Sequence, residues 1–163
     1  MSINDLKKYY PSTFYPIFQN DYNESKNIID YRCSAFPFFF TTFKSLSETL
    51  EKINEKEVNE IRWRFLNALE KIQSQKNTYK KINFSNLVEK TTNITIDDVI
   101  NLTENSGIDL FIPDSKIMLK GHDHHGFILY CDHKNQNVIG EIKSILKKNS
   151  LYLLTNPYSN KNS

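Results

Sequence analysis

The sequence has few residues with special backbone or redox properties. Among 163 residues there are four Gly, five Pro and two Cys. The glycines are too scattered to form a phosphate-binding loop, and no nucleotide-binding fingerprint occurs. Cys33 and Cys131 are far apart and belong to no CxxC pair, so we predict two free, buried thiols in a reducing cytosol. The sequence alone also allows a disulfide between them.

Long apolar runs and an excess of basic charge are missing as well. No run approaches the ~18 residues of a membrane-spanning helix, and the N-terminus lacks the apolar stretch of a secretory signal. Lys and Arg total 21 against 19 Asp and Glu, and only three of the 21 cations are Arg. Nucleic-acid binders normally carry a clustered basic excess. We therefore expect a cytoplasmic protein whose partner is neither a membrane nor a nucleic acid.

Aromatic residues are concentrated near the N-terminus. Twelve of the 21 aromatic side chains lie in residues 1–43. Such side chains bury large areas when they are ordered, so this arm is expected to pack onto the rest of the chain. Pro11, Pro16 and Pro37 divide it into short turns or strands rather than one long helix.

Residues 44–77 have the apolar spacing of helices. The pattern predicts one helix before Asn54 and a second over about 56–76, although a single bent helix also fits. The second helix has an apolar stripe of Val58, Ile61, Phe65, Leu69 and Ile72. We expect residues 78–94 to be a connection with about one helical turn near 84–90.

The region 95–155 alternates strand and helix patterns. Thr95 or Asp97 can cap a short helix that ends at Gly107 in a left-handed conformation. Strands at 108–112, 116–120, 127–132 and 151–154 and a helix from Asn137 to Lys148 complete the pattern.

The strands around residues 121–126 form a predicted hairpin in which Lys120 faces Phe127. Residues 127–155 form a β-α-β unit, whose two strands normally run parallel. The predicted fold is thus α+β, one domain over 1–163: a helical, aromatic-rich N-terminal half packed on a small mixed C-terminal sheet, with a disordered tail at 156–163.

The four histidines lie between positions 122 and 133. His122, His124 and His125, together with Asp123, resemble a metal-ligand set, because imidazole is a common ligand of zinc and other divalent transition metals. No HExxH or HxHxDH pattern is present. We favour a polar hairpin apex over a metal site, and we expect His133 to lie far from this loop.

Trp63 falls opposite the apolar stripe of its helix. It is expected either to be covered by the N-terminal arm or to be available to a partner, since Trp is a favoured anchor at interfaces. Nearby glutamates form an acidic stretch with lysines between them, which is typical of a solvated face or a partner-binding one. The candidate partner-binding residues are Glu48, Glu51, Glu55, Trp63, His122, Asp123 and His124.

No set of side chains in the sequence matches a catalytic motif, so we predict a protein-binding module and not an enzyme. In small size, α+β character and Asn-, Ile- and Lys-rich composition, the chain is similar in general character to bacterial immunity proteins. That likeness implies occlusion of a toxin domain, with acidic side chains meeting a basic cleft. The alternative is a metal-binding protein or metal-dependent enzyme that uses His122, His124 and His125 with zinc or another divalent transition metal.

Overall fold

A computed structural model describes residues 1–20, 27–37 and 43–155 of the chain. Seven strands of this part form one sheet, in the order β3-β2-β4-β5-β6-β1-β7, and every neighbouring pair is antiparallel. The strands are β1 Ile28–Ser34, β2 Thr78–Ile82, β3 Val88–Thr91, β4 Ile108–Ile112, β5 Ile117–Gly121, β6 Gly126–Asp132 and β7 Tyr152–Thr155.

Helices lie on both sides of this sheet. They are α1 Ile3–Lys7, α2 Tyr15–Phe18, α3 Phe43–Glu51, α4 Glu55–Gln73, α5 Ile96–Thr103 and α6 Gln136–Lys148. The longest, α4, contacts both α5 and α6. None of the described helices is long and apolar enough to cross a membrane.

The sheet has a hydrophobic core on each face, because successive residues of a strand point to opposite faces. In β4, Leu110 belongs to the core beneath α4, α5 and α6, whereas its neighbour Phe111 belongs to the core beneath the N-terminal arm. Buried arm residues such as Phe14 complete the second core. Residues 1–20 therefore lie across the face opposite α4, α5 and α6.

The α+β class is confirmed, and so are several local predictions. A break separates α3 from α4, and the Asn54 side chain caps α4 by accepting a hydrogen bond from the Glu57 backbone at 2.9 Å. Thr95 caps α5 through a capping box with Asp98. The stripe predicted on α4 is buried except at Val58, which is half-buried.

The prediction for residues 78–94 is wrong. They form the antiparallel strands β2 and β3 and not a helical connection. These short strands carry alternating Lys, Tyr and Glu side chains near the sheet edge, so the apolar pattern that marks a buried strand is weak there. The residues before Thr95 therefore supply three of the seven strands, including β1 from the arm.

The sheet is antiparallel and not mixed. The strands β6 and β7 do run in the same direction, as the β-α-β unit requires, but β1 lies between them and is antiparallel to both. Pairing with a distant strand cannot be deduced from the spacing within residues 127–155.

Two turn predictions are also corrected. Lys120 faces Ile128, and Phe127 pairs with Gly121, one residue from the predicted register. The left-handed residue after α5 is Ser106, with φ of 52°, and not Gly107. The predicted tail at 156–163 lies outside the described residues.

Candidate partner-binding surface

Three loops meet at one end of the sheet, which we call the loop end: residues 83–87, 104–107 and 122–125. Direct hydrogen bonds join them. The Asn83 side-chain amide donates to the Ser106 carbonyl, and the Ser106 backbone donates to the His122 carbonyl at 3.3 Å. The His122 backbone in turn donates to the Leu102 carbonyl of α5 at 2.9 Å. The histidine loop is thus tied to both the helix layer and the β2–β3 hairpin.

The histidine loop is a tight turn between two glycines, and the close approach of neighbouring strands requires glycine at position 126. A side chain at Gly126 would approach the Cys33 carbonyl oxygen to 2.5 Å, so only glycine fits between β6 and β1 there. His124 and His125 adopt left-handed conformations, with φ of 60° and 57°. This conformation is uncommon outside glycine, although Asn, Asp and His are enriched in it.

Arg32, on β1, connects that strand to the histidine loop. Its Nη2 donates to the Asp123 carbonyl at 2.8 Å, and its Nη1 lies 2.5 Å from Nδ1 of His122. Because a guanidinium can only donate, Nδ1 of His122 must accept, which leaves its proton on Nε2. Burial and then the Arg32 charge lower the pKa of His122 below its ordinary value. His122 is therefore a neutral structural acceptor here.

The Asp123 carboxylate bridges two histidines. Its Oδ1 lies 2.8 Å from Nδ1 of His122 and its Oδ2 lies 3.2 Å from Nε2 of His124. Since Nδ1 of His122 already accepts from Arg32, it has no proton for Oδ1, which is buried without a hydrogen bond. Of the two histidines, His124 is therefore the one that positions the Asp123 carboxylate, through its Oδ2.

His125 points into the protein. It is buried, contacts the Phe36 ring edge-on, and its Nδ1 has no hydrogen-bond partner. Burial lowers the pKa of His125 as well. His133 follows β6 at the end of the strand opposite the loop, so the predicted separation of His133 from the other histidines is confirmed.

The predicted metal ligands do not converge in the described part of the chain. No three His, Cys, Asp or Glu side chains there are arranged to hold a metal ion. A guanidinium occupies the position next to Nδ1 of His122 where a cation would bind. His125 also turns away from His122 and His124, whose ring centroids are 6.4 Å apart.

An ion pair links α4 to α5 beside this loop. Arg62 donates to both carboxylate oxygens of Glu104, through Nε at 2.7 Å and Nη2 at 2.8 Å. Paired donation of this kind is the strongest geometry of an Arg–carboxylate contact. Glu104 also raises the pKa of Arg62, mainly through this hydrogen bond. The pair fixes the N-terminal half of α4 at the loop end.

Trp63 lies next to Arg62 on the outer face of α4, and 57% of its surface is exposed. The described arm residues 1–20 cover the opposite face of the sheet, so they do not cover this side chain. Cover of Trp63 by these arm residues is therefore wrong, and its availability to a partner stays a prediction.

The predicted acidic residues are divided between two helices. Glu55 lies at the start of α4, where its charge acts on Arg62. Glu48 and Glu51 are exposed on α3, where Glu48 pairs with Lys44 at 4.0 Å and Glu51 accepts from Ser47. Residues 44–64 contain five Glu and five Lys or Arg. This surface is therefore balanced in charge and not acidic.

Sequence reasoning missed three features of the loop end. Arg32 reaches His122 from a strand 90 positions away, and the Arg62–Glu104 pair spans 42 positions, so no local pattern marks either contact. The third is Phe84, which is fully exposed in the β2–β3 hairpin. The sequence does mark Phe84, because it lies in the uncharged segment 82–88. We predicted a helical turn there and therefore did not expect an exposed hairpin.

Comparison of the chain with known protein families, curated proteins and solved structures found no match. Its function is therefore inferred from its own residues.

Proposed function

We propose that the chain is a non-enzymatic protein-binding module of the bacterial immunity kind, which blocks the active site of a cognate toxin domain. The observation that carries the proposal is the exposed Trp63 on the outer face of α4. Large aromatic side chains bury much area and dominate the binding energy of interfaces, so an exposed Trp held on a rigid helix favours a partner. The Arg62–Glu104 pair supports this role by holding the helix in place.

The mechanism is steric occlusion with little contribution from net charge. The notion of an acidic face against a basic cleft is weakened by the equal numbers of Glu and cationic residues in 44–64. Individual glutamates such as Glu55 can still pair with cations of a partner at the rim, where such pairs mainly affect the association rate. The Asp123 and His124 side chains offer polar contacts at the same end.

Two further observations support a binding role in the cytoplasm. Cys33 and Cys131 are both free and buried, which suits a reducing compartment. His122 and His125, the side chains best suited to acid–base chemistry, are a hydrogen-bond acceptor for Arg32 and a buried ring, respectively.

Capture from the native cell followed by a growth assay tests the proposal. We expect a one-to-one complex with a toxin domain, and co-expression of the chain should restore growth to cells that produce this domain. Trp63→Ala should weaken the complex at least about tenfold. Asn67→Ala, at an exposed position one turn further along α4, is the matched control and should bind as the wild type does. Failure to protect cells from any captured partner, or equal protection by Trp63→Ala, would overturn the proposal.

The metal alternative has a separate test. Elemental analysis of protein purified without an affinity tag should find no stoichiometric metal. Stoichiometric zinc, nickel or iron that is lost in a variant with Ala at positions 122 and 124 would favour the metal-binding function instead.

A further inference from the structure

We propose that residues 82–88, the β2–β3 tip, form an apolar anchor that inserts into an uncharged apolar pocket of a partner protein. This proposal holds whether or not that partner is a toxin, and it concerns a surface distinct from Trp63.

The tip exposes three large apolar side chains within six residues. Phe84 is fully exposed, Leu87 is 70% exposed and Ile82 is 56% exposed. Single exposed apolar residues are ordinary, but adjacent ones on one projecting turn mark interaction sites. In the described part of the chain, eight large apolar or aromatic side chains are exposed, and three of them lie on this tip. The tip is therefore an exception that calls for a partner.

The backbone holds Phe84 outward in a costly conformation. Its φ is 69°, in the left-handed region, which is a genuine outlier for a bulky side chain. Such conformations persist only where the surroundings enforce them, and they concentrate at binding and switch sites. In the isolated chain this exposed ring makes no packing contacts that would offset the cost of the strained backbone.

Hydrogen bonds on both sides make the tip rigid. Asn83 is held from the α5–β4 loop by its backbone donation to the Gly107 carbonyl at 2.9 Å. On the other side, the Ile3 backbone donates to the Asn86 carbonyl at 3.1 Å and the Val88 backbone donates to the Met1 carbonyl at 2.9 Å. Little conformational entropy is then lost on binding, which is how preorganisation strengthens an interface.

The charge of the tip selects the kind of partner. Residues 82–88 contain no charged side chain. Of the two lysines before them, Lys80 is paired with Asp98 at 3.0 Å and Glu89 at 3.5 Å, and Lys81 lies opposite Asp109, on whose carboxyl its charge acts. Nucleic acids and anionic membranes bind through basic clusters, which the tip lacks. A neutral apolar pocket on a protein fits best, with Asn83, Ser85 and Asn86 supplying hydrogen bonds at its rim.

Photo-crosslinking from the tip tests the proposal in the full-length chain. A benzoylphenylalanine replaces Phe84, and in a control it replaces Tyr15, an exposed aromatic residue on the arm. The crosslinked protein is then purified, and its affinity is measured for the wild type, Phe84→Ala and Tyr15→Ala. The ring of Phe84 is fully exposed, so Phe84→Ala should fold normally, and circular dichroism verifies this.

We expect one protein to crosslink from position 84 and not from position 15. Phe84→Ala should weaken its binding about 30-fold, as loss of a hot-spot side chain does, whereas Tyr15→Ala should change it less than about twofold. Because the tip is uncharged, raising NaCl from about 50 mM to about 500 mM should change the affinity less than about threefold.

Four results would overturn the proposal. They are the absence of a crosslink specific to position 84, equal binding by Phe84→Ala, a steep loss of affinity with salt, and a different occupant. Two measurements would identify a different occupant. Sedimentation would show self-association that Phe84→Ala abolishes, and flotation with neutral phosphatidylcholine vesicles would show insertion of the tip into a membrane.

Discussion

At the scale of single residues, the shortage of glycine has a visible consequence. Among the residues that the structure describes, eight non-glycine residues have positive φ, whereas none of the glycines does. The positions that turns require in the left-handed region are filled by Asn20, Gln75, Phe84, Ser106, Lys116, His124, His125 and Ser150. Each such residue destabilises the fold by roughly 1 kcal/mol relative to glycine. A chain with so few glycines keeps these conformations only where neighbouring contacts enforce them.

Phe84 offers a clean measurement of that strain, because its ring is fully exposed. We expect Phe84→Gly to be more stable than Phe84→Ala by about 1 kcal/mol, since both remove the ring but only glycine relaxes at φ of 69°. Urea denaturation of the two variants gives the difference directly. Equal stability, or a more stable alanine variant, would show that the tip is unstrained.

His122 makes the stability of the fold depend on pH. Burial and the Arg32 charge lower its pKa in the folded state, so the unfolded chain binds this proton more readily. Stability should therefore fall as the pH drops below about 6.5, the ordinary histidine value, until the lowered folded pKa is reached. We expect His122→Asn, which keeps an acceptor for Arg32, to lose less stability than the wild type between about pH 7 and pH 5.

Chemical denaturation over this pH range supplies the test, with His133→Asn as the control because His133 is exposed and lies far from the loop. His125 is also buried and contributes a dependence of the same sign, so the wild-type slope is reduced and not abolished. Identical slopes for the wild type and His122→Asn would contradict the assigned role of His122.

At the scale of helices and strands, short sequence patterns predicted the features that depend on residues close together in the chain. The helix break at Asn54, a cap at Thr95 or Asp97 and the apolar stripe of α4 are visible within a few residues, and the structure has the break, the cap at Thr95 and the stripe. The pairing of β1 between β6 and β7 depends on contacts a hundred residues apart, and no spacing encodes it. The candidate site divides in the same way. Helical geometry placed Trp63 opposite the apolar stripe but left open whether the arm covers it, and no local signal marked the Arg32 contact with His122.

The start of α4 should depend strongly on its cap. Asn54→Ala removes the acceptor of the Glu57 amide, and we expect a loss of about 1 kcal/mol in unfolding free energy. Asn67→Ala, in the exposed interior of the same helix, is the control and should stabilise slightly, because alanine is the better helix former. The urea midpoint should shift for Asn54→Ala with an unchanged m-value. If Asn54→Ala leaves the unfolding free energy unchanged or raises it, as Asn67→Ala does, the side chain of Asn54 does not act as the cap.

At the scale of the whole molecule, one sheet carries two cores that share no side chains. The helix-side core contains Phe65 and Phe127, whose rings are 5.9 Å apart, and the arm-side core contains Phe14 and Tyr10, whose rings are 5.0 Å apart. Alternate residues of β4, β5 and β6 supply both cores, so the strands themselves connect the arm to the helices. Loss of packing on either face should weaken the same strands.

This connection predicts that the two layers unfold together. Phe14 and Phe127 are both fully buried, and we expect Phe14→Ala and Phe127→Ala each to lower the unfolding free energy by about 3–5 kcal/mol. In each variant, near-ultraviolet circular dichroism in the tyrosine band follows the arm-side core, which holds the buried Tyr10 and Tyr130, and far-ultraviolet circular dichroism follows the helices. If the sheet joins the layers, both signals share one midpoint in each variant. If instead Phe14→Ala shifts only the near-ultraviolet midpoint, the arm detaches by itself, and the helix layer with its loop end is stable without it.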